Sequence, residues 1–264
     1  MKSHRKSVNR GRAITKSRLN IMLFGTIVLG AIILTSSTIK HPAVTGKDVG
    51  TKEAPQEYIT QTKDSQAKIT PDKAIDMLKD GNARFVGESL TDRDLIAQVE
   101  QTGKGQYPFA SIVSCIDSRI PTEIVFDQGV GDIFNARIAG NFVNTDILGS
   151  LEFATKVAGS KVIVVMGHTE CGAVKGACDN VKLGNLTATL ENIMPAVEGV
   201  KNISGERNSK NAEFVQKVAD LNVEMTIAKI MKESDVIREM QENGELAVVG
   251  AMYDVHTGKV TFMD

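Results

Sequence analysis

Residues 162–172 read Val162-Ile163-Val164-Val165-Met166-Gly167-His168-Thr169-Glu170-Cys171-Gly172. The first five are apolar, four of them β-branched, and a polar turn follows. A short, continuously apolar run of this kind is a strand buried on both faces. Residues 109–114 form a similar run, ending in Cys115-Ile116-Asp117-Ser118-Arg119, and 132–138 form a third. Between the last two, residues 144–157 set Leu148, Leu151 and Val157 at helical spacing. Strands that alternate with helices, and that are apolar throughout, predict an α/β domain with a mostly parallel central sheet flanked by helices.

The flanking sequence extends the pattern. Thr70-Pro71-Asp72 is a helix start, with a capping hydroxyl, proline at the first helical position and an acid in the first turn. Ile75, Leu78 and Phe85 supply its apolar face, with Gly81 interrupting it. Residues 181–200 and 211–241 predict further helices, Pro195 breaking the first and Gly244 closing the second. Residues 246–254, a turn at His256-Thr257-Gly258 and residues 259–263 predict a C-terminal hairpin whose last strand is an antiparallel edge.

With 264 residues, 42% hydrophobic and 24% charged, the chain is long enough for a large core and is neither disordered nor collagen-like. Three cysteines cannot close a disulfide framework among themselves. The formal charge of −1 excludes a nucleic-acid-binding profile, yet it averages two unlike parts. Residues 1–18 hold seven Lys and Arg and no acid; removing those seven from 31 leaves 24 basic against 32 acidic residues, a net of −8 for 19–264. An apolar centre at 21–34 follows. A basic head before an apolar run predicts a signal peptide or membrane anchor over 1–40. The rest of the chain would then be exported, periplasmic or otherwise extracytoplasmic, touching a membrane only through this segment. No Ala-x-Ala site follows in 35–43, and no cysteine is there to carry a lipid. Residues 41–66 are polar, with scattered Gly and Pro, and predict a linker before a folded domain over 67–264.

The chemistry sits at the carboxyl ends of two strands, where open α/β sheets place their sites. His168 and Cys171 have a short chelating spacing, and Cys115 ends a neighbouring run. Two thiolates and one imidazole with an open fourth position are a catalytic zinc set, and sulfur with nitrogen favours zinc over magnesium or calcium. On spacing alone, two buried free cysteines and a core histidine are an equal alternative.

The wider pattern resembles the beta-class carbonic anhydrases. Cys115-x-Asp117-x-Arg119 is followed by Gly131-Asp132-x-Phe134, Arg137-x-Ala139-Gly140-Asn141 and Gly167-His168-x-x-Cys171-Gly172-Ala173-Val174. Leu78, Gly81-Asn82 and Arg84-Phe85 resemble the family's amino-terminal helix, and Gly250-x-x-Tyr253-Asp254 with Thr257-Gly258 its final hairpin. The resemblance covers about 67–264. It implies one Zn²⁺ per chain held by Cys115, His168 and Cys171, with Asp117 paired to Arg119 or, in a closed form, acting as the fourth ligand. It implies that Gln106 contacts substrate and that Phe134 lines the carbon dioxide pocket. The implied reaction is reversible hydration of CO₂ to bicarbonate and a proton, by attack of zinc-bound hydroxide on CO₂. The implied assembly is a homodimer or larger.

Two departures stand out. Ile138 replaces the usual Asn, and Ile112 stands where one branch has the Trp of a bicarbonate inhibitory site, which predicts that this site is absent here. No residue identifies itself as a proton shuttle; His256 reads as a surface histidine and Cys178 as a buried helix thiol. The rival functions are hydrolysis of carbon disulfide or carbonyl sulfide on the same scaffold, a structural zinc module, and a thiol redox protein. The last lacks a C-x-x-C pair.

Overall fold

The computed structural model describes residues 60–263. The basic head, the apolar run and the linker as far as residue 59 lie outside them. The elements are α1 (Lys63–Gln66), α2 (Pro71–Val86), α3 (Leu95–Thr102), β1 (Ala110–Ser114), α4 (Thr122–Val125), β2 (Ile133–Arg137), α5 (Thr145–Glu152), which continues into a π-helical turn (Phe153–Val157), and β3 (Val162–His168). There follow α6 (Gly172–Cys178), α7 (Leu186–Glu191), α8 (Met194–Gly199), α9 (Ala212–Glu233), α10 (Asp235–Glu242), β4 (Ala247–Tyr253) and β5 (Val260–Phe262).

The sheet order is β2-β1-β3-β4-β5. The first four strands are parallel, and β5 pairs antiparallel with β4. This is the α/β arrangement, with its C-terminal hairpin, that the apolar runs predict. Every residue of β1 and β3 is buried. The pleat sends their side chains alternately to two cores. Ile112, Val164 and Met166 join Leu78, Phe126, Val174 and Phe214 on one face. Val113, Ile163 and Val165 join Leu148, Val223, Ile230 and Ile237 on the other. In register, Ser114 lies opposite Met166 on β3 and Arg137 on β2, which brings three loops together at one end of the sheet.

Local chemistry sets the helix ends. Thr70 caps α2 by accepting from the Lys73 N–H at 3.2 Å, with Pro71 in the first turn. Gly81 does not interrupt that helix. A Cβ there would stand 1.8 Å from the Phe126 carbonyl oxygen, so the glycine lets the helix and the chain after α4 pack backbone to backbone. Asn82 then donates to the Val125 and Gly258 carbonyls and accepts from the Val260 N–H, tying α2 to the hairpin.

Three further sequence expectations are corrected. The helix predicted over 211–241 is two helices. Ser234, in extended backbone, ends α9 and caps α10 by accepting from the Ile237 N–H at 3.2 Å. The helix predicted over 181–200 is α7 and α8. Pro195 lies in the first turn of α8, where its missing N–H costs no hydrogen bond, so it opens a helix instead of breaking one. The described end of the 41–66 linker is part of the domain: Gln66 is buried and its amide donates to the Pro108 and Ala158 carbonyls at 2.7 and 2.8 Å. Among the described residues no helix is long and apolar enough to cross a membrane.

Candidate metal centre

Cys115 follows β1, His168 ends β3, and Cys171 precedes the first residue of α6. Because β1 and β3 are parallel neighbours, all three side chains meet at one end of the sheet. Their ligating atoms lie within 4.8 Å of one another, the two sulfurs 4.0 Å apart, and each residue is at most 3% exposed. His168 Nδ1 lies 2.9 Å from the Thr169 carbonyl oxygen, which can only accept, so Nδ1 carries the proton and Nε2 presents its lone pair. That Nε2 is buried and has no hydrogen-bond partner in the chain. A bare buried acceptor beside two sulfurs is costly on its own and satisfied by a metal ion. The donor set suits zinc.

The sulfurs agree. The Cys115 thiol is pushed down to about 4, chiefly by the hydrogen bond from Cys171 and further by the backbone N–H groups of Gly140 and Asp117, against the effect of burial. The Cys171 thiol is pushed up by its bond to Cys115, by burial and by the charge on Cys115. Two sulfurs this close share one negative charge until a cation between them allows two.

Asp117 lies beside the cluster, its Oδ2 4.0 Å from His168 Nε2. It is turned to Arg119, whose Nε reaches Oδ1 at 2.9 Å and Nη2 reaches Oδ2 at 2.7 Å, while the Arg119 N–H donates to Oδ1 at 3.0 Å. These bonds hold the carboxyl down at about 2, and so ionised at neutral pH. Asp117 is therefore clamped by the arginine, outside the group of three that converges.

Arg137 is a site residue that the sequence placed in a motif without a role. From the end of β2 its Nε donates to the Cys115 carbonyl at 3.0 Å and its Nη2 to the Asp117 carbonyl at 2.6 Å, fixing the loop that carries both. Its signal was a cation at the end of a strand run, in register with Ser114. Ile138 is half-buried, and only its backbone serves here: its N–H donates to the Ser114 carbonyl at 3.0 Å. At the rim Glu170 pairs with Lys175, which, with help from His256 and Arg119, lowers the Glu170 carboxyl. His256 is exposed in the β4–β5 turn. Cys178 is a buried thiol of α6, pushed up to about 11 mainly by burial.

Gln106 and Phe134 are not brought to this cluster within one chain. Gln106 is exposed in the loop before β1, and Phe134 pairs with Ser111 near the start of that strand. Four residues of strand separate Ser111 from Cys115, about 13 Å. Phe134 stacks edge-on with Phe153, 6.4 Å between ring centres, in a cavity of about 450 Å³ that opens beside the β2 edge.

Comparison with known proteins bears on the same site. The model of the family described as carbonic anhydrase matches residues 110–260. Carbonic anhydrase 2 of Mycobacterium tuberculosis is 36% identical over 202 residues, 74% of this chain and 93% of that protein. The carbonic anhydrase of Mycolicibacterium smegmatis is 34% identical over 196 residues, 72% of this chain and 92% of that protein. Among solved structures, the beta-carbonic anhydrase CafA of Aspergillus fumigatus superposes with a TM-score of 0.55 at 28% identity, covering 73% of this chain and 90% of that one. One of two tetrameric beta-carbonic anhydrases of Sordaria macrospora superposes at 0.53 with 26% identity, covering 63% and 89%.

Proposed function

The chain belongs to the beta-class carbonic anhydrases, and from that premise we propose that Cys115, His168 and Cys171 are its zinc ligands, with Asp117 and Arg119 completing the catalytic machinery. The activity is zinc-dependent, reversible hydration of carbon dioxide to bicarbonate and a proton. The observation that carries the site assignment is the unpartnered, buried Nε2 of His168 beside two sulfurs 4.0 Å apart.

Zinc bound there supplies Lewis acidity that brings the pKa of water toward about 7. The chain supplies orientation. Asp117, ionised, accepts a hydrogen bond at Oδ2 from the attacking water and so fixes where its remaining lone pairs point. Arg119 holds that carboxylate through two side-chain N–H groups, and Arg137 holds the loop that carries it. Burial of the cluster keeps solvent from the sulfurs.

The substrate-contact role of Phe134 calls for a second copy of the chain, because it pairs near the start of β1, at the other end of that strand from its own Cys115, and Gln106 is exposed in the loop that leads into that same start. A homodimer or a higher assembly answers that requirement, and the Sordaria relatives are tetramers. The basic head and apolar run support export, the enzyme working outside the cytoplasm, cleaved or anchored.

Stopped-flow CO₂ hydration on the full chain tests the site. Cys115→Ala and His168→Ala should lose both zinc and activity. Asp117→Ala should keep zinc and lose about 10²-fold in rate, the low end for a lost proton-handling group. Stoichiometric zinc in Cys115→Ala, or a wild-type rate in Asp117→Ala, would overturn the assignment. Cell fractionation tests export, and retention in the cytosol would refute it.

A further inference from the structure

One backbone N–H is hydrogen-bonded to a site sulfur. It is the Gly140 N–H, 3.5 Å from Cys115 Sγ, and it arrives from 25 residues further along the chain. The turn that carries Cys115 does not aim it. Something else must.

Gly140 has φ +86 and no room for a side chain: a Cβ would stand 2.4 Å from Cδ1 of the fully buried Ile193. A glycine is free to rotate about its own bonds, so the next peptide must be held if its N–H is to stay on the sulfur. That peptide is held at both ends. The Asn141 N–H donates to the Ile138 carbonyl at 3.0 Å, and the Gly140 carbonyl accepts from Asn222 Nδ2 at 2.8 Å. Asn222 lies on α9, remote in sequence from every ligand, and is 3% exposed. A buried amide spent on one carbonyl in the midst of an apolar helix face costs stability unless that bond matters.

We propose that Asn222 is a positioning residue of the metal centre: it holds the Gly140 carbonyl so that the Gly140 N–H stays on Cys115 Sγ, and thereby supports zinc binding. An N–H aimed at a thiolate is a charge-assisted bond that orients a ligand from outside the coordination shell. The inference rests on Cys115 being a ligand.

The test uses the full chain loaded with Zn²⁺ or with Co²⁺, whose sulfur-to-cobalt charge-transfer band reports on the thiolates. Asn222→Leu and Asn222→Asp both remove the donor at nearly constant size, and either one that unfolds cooperatively is read. Lys229→Met is the control. It removes a second α9 donor, to the Val143 carbonyl at 2.9 Å, which anchors the same loop without facing Cys115. The Asn222 variants should weaken zinc about tenfold or more and move the charge-transfer band, while Lys229→Met moves neither. Zinc affinity within about twofold of wild type, the band unmoved, would overturn the proposal, with tenfold as the expected scale. An equal loss in Lys229→Met would also overturn it, since any anchor of the loop would then serve. A wild-type chain that takes up cobalt without a sulfur charge-transfer band would overturn the ligand assignment, and this inference with it.

Discussion

Gly140→Ala is the sharpest structural test of how the centre is built. Alanine at φ +86 pays about 1–2 kcal/mol for a left-handed backbone. Its Cβ would overlap Ile193 Cδ1 at 2.4 Å, and since Ile193 is fully buried and Ala173 closes the space at 3.5 Å, relief needs a rotamer or backbone shift of about 1–3 kcal/mol. The expected loss is about 3 kcal/mol, which at a urea slope of about 2 kcal/mol/M lowers the unfolding midpoint by about 1.5 M. The measurement is made on chelator-treated protein, so that metal binding adds nothing to the difference. Ile193→Val removes the offending Cδ1 and by itself costs about 1 kcal/mol. In the double variant the overlap is gone and only the backbone strain and the lost methyl group remain. The two losses should therefore fall short of additivity by about 1–2 kcal/mol, in the range of contacting residues. Strict additivity, or a Gly140→Ala midpoint equal to wild type, would refute the close approach of Gly140 to Ile193 on which the aim of its N–H depends.

Two further outcomes are expected. Asp127 is 2% exposed and bonded by Arg84, Arg93 and Thr91. Burial raises its carboxyl, but these three partners prevail and lower it. A depressed carboxyl contributes stability above the ordinary carboxylate pKa and loses it as pH falls below that value. Asp127→Asn should therefore cost about 3 kcal/mol at neutral pH, by stranding its arginines, and flatten the stability curve as pH falls below the ordinary carboxylate pKa; an unchanged slope in urea titrations across that acid limb would sink the argument. Second, Ile112 is fully buried in β1 at the position where the inhibited branch of the family carries Trp, so bicarbonate should inhibit hydration without cooperativity; strong cooperative inhibition at low pH, in initial rates, would count against it.

The parts of the fold that were legible from sequence follow from short-range patterns. Residues 162–166 are apolar at every position and four of the five are β-branched, and a run like that has few uses other than a doubly covered strand. Thr70-Pro71 announces its helix because the capping oxygen and the proline act within one turn. The helix breaks were less visible. Ser234 is an ordinary residue in a helical pattern until its hydroxyl, which also donates to Glu152 Oε1 at 2.6 Å, fixes it as a cap. Pro195 is ambiguous in sequence because proline opens a helix as readily as it ends one, and only the neighbouring turns decide which. Arg137 bonds carbonyls of another loop, and no pairing of opposite charges in the sequence announces that.

By itself the sequence determined the buried strands, the Thr70-Pro71 helix start, the presence of Cys115, His168 and Cys171 at strand ends, and the Asp117-x-Arg119 spacing that lets one side chain clamp the other. Each depends on residue type and on neighbours a few positions away. The tertiary structure alone decided that β1 lies beside β3 in a register that brings Cys115 to His168, and that α9 reaches over to hold Gly140 with Asn222. It also decided that Phe134 pairs near the start of β1, away from the ligands it was expected to serve. The relations that build the centre join residues 25 to 82 positions apart, as Cys115 with Gly140 and Gly140 with Asn222. They exist only once burial of the two sheet faces has chosen which strand and which helix become neighbours.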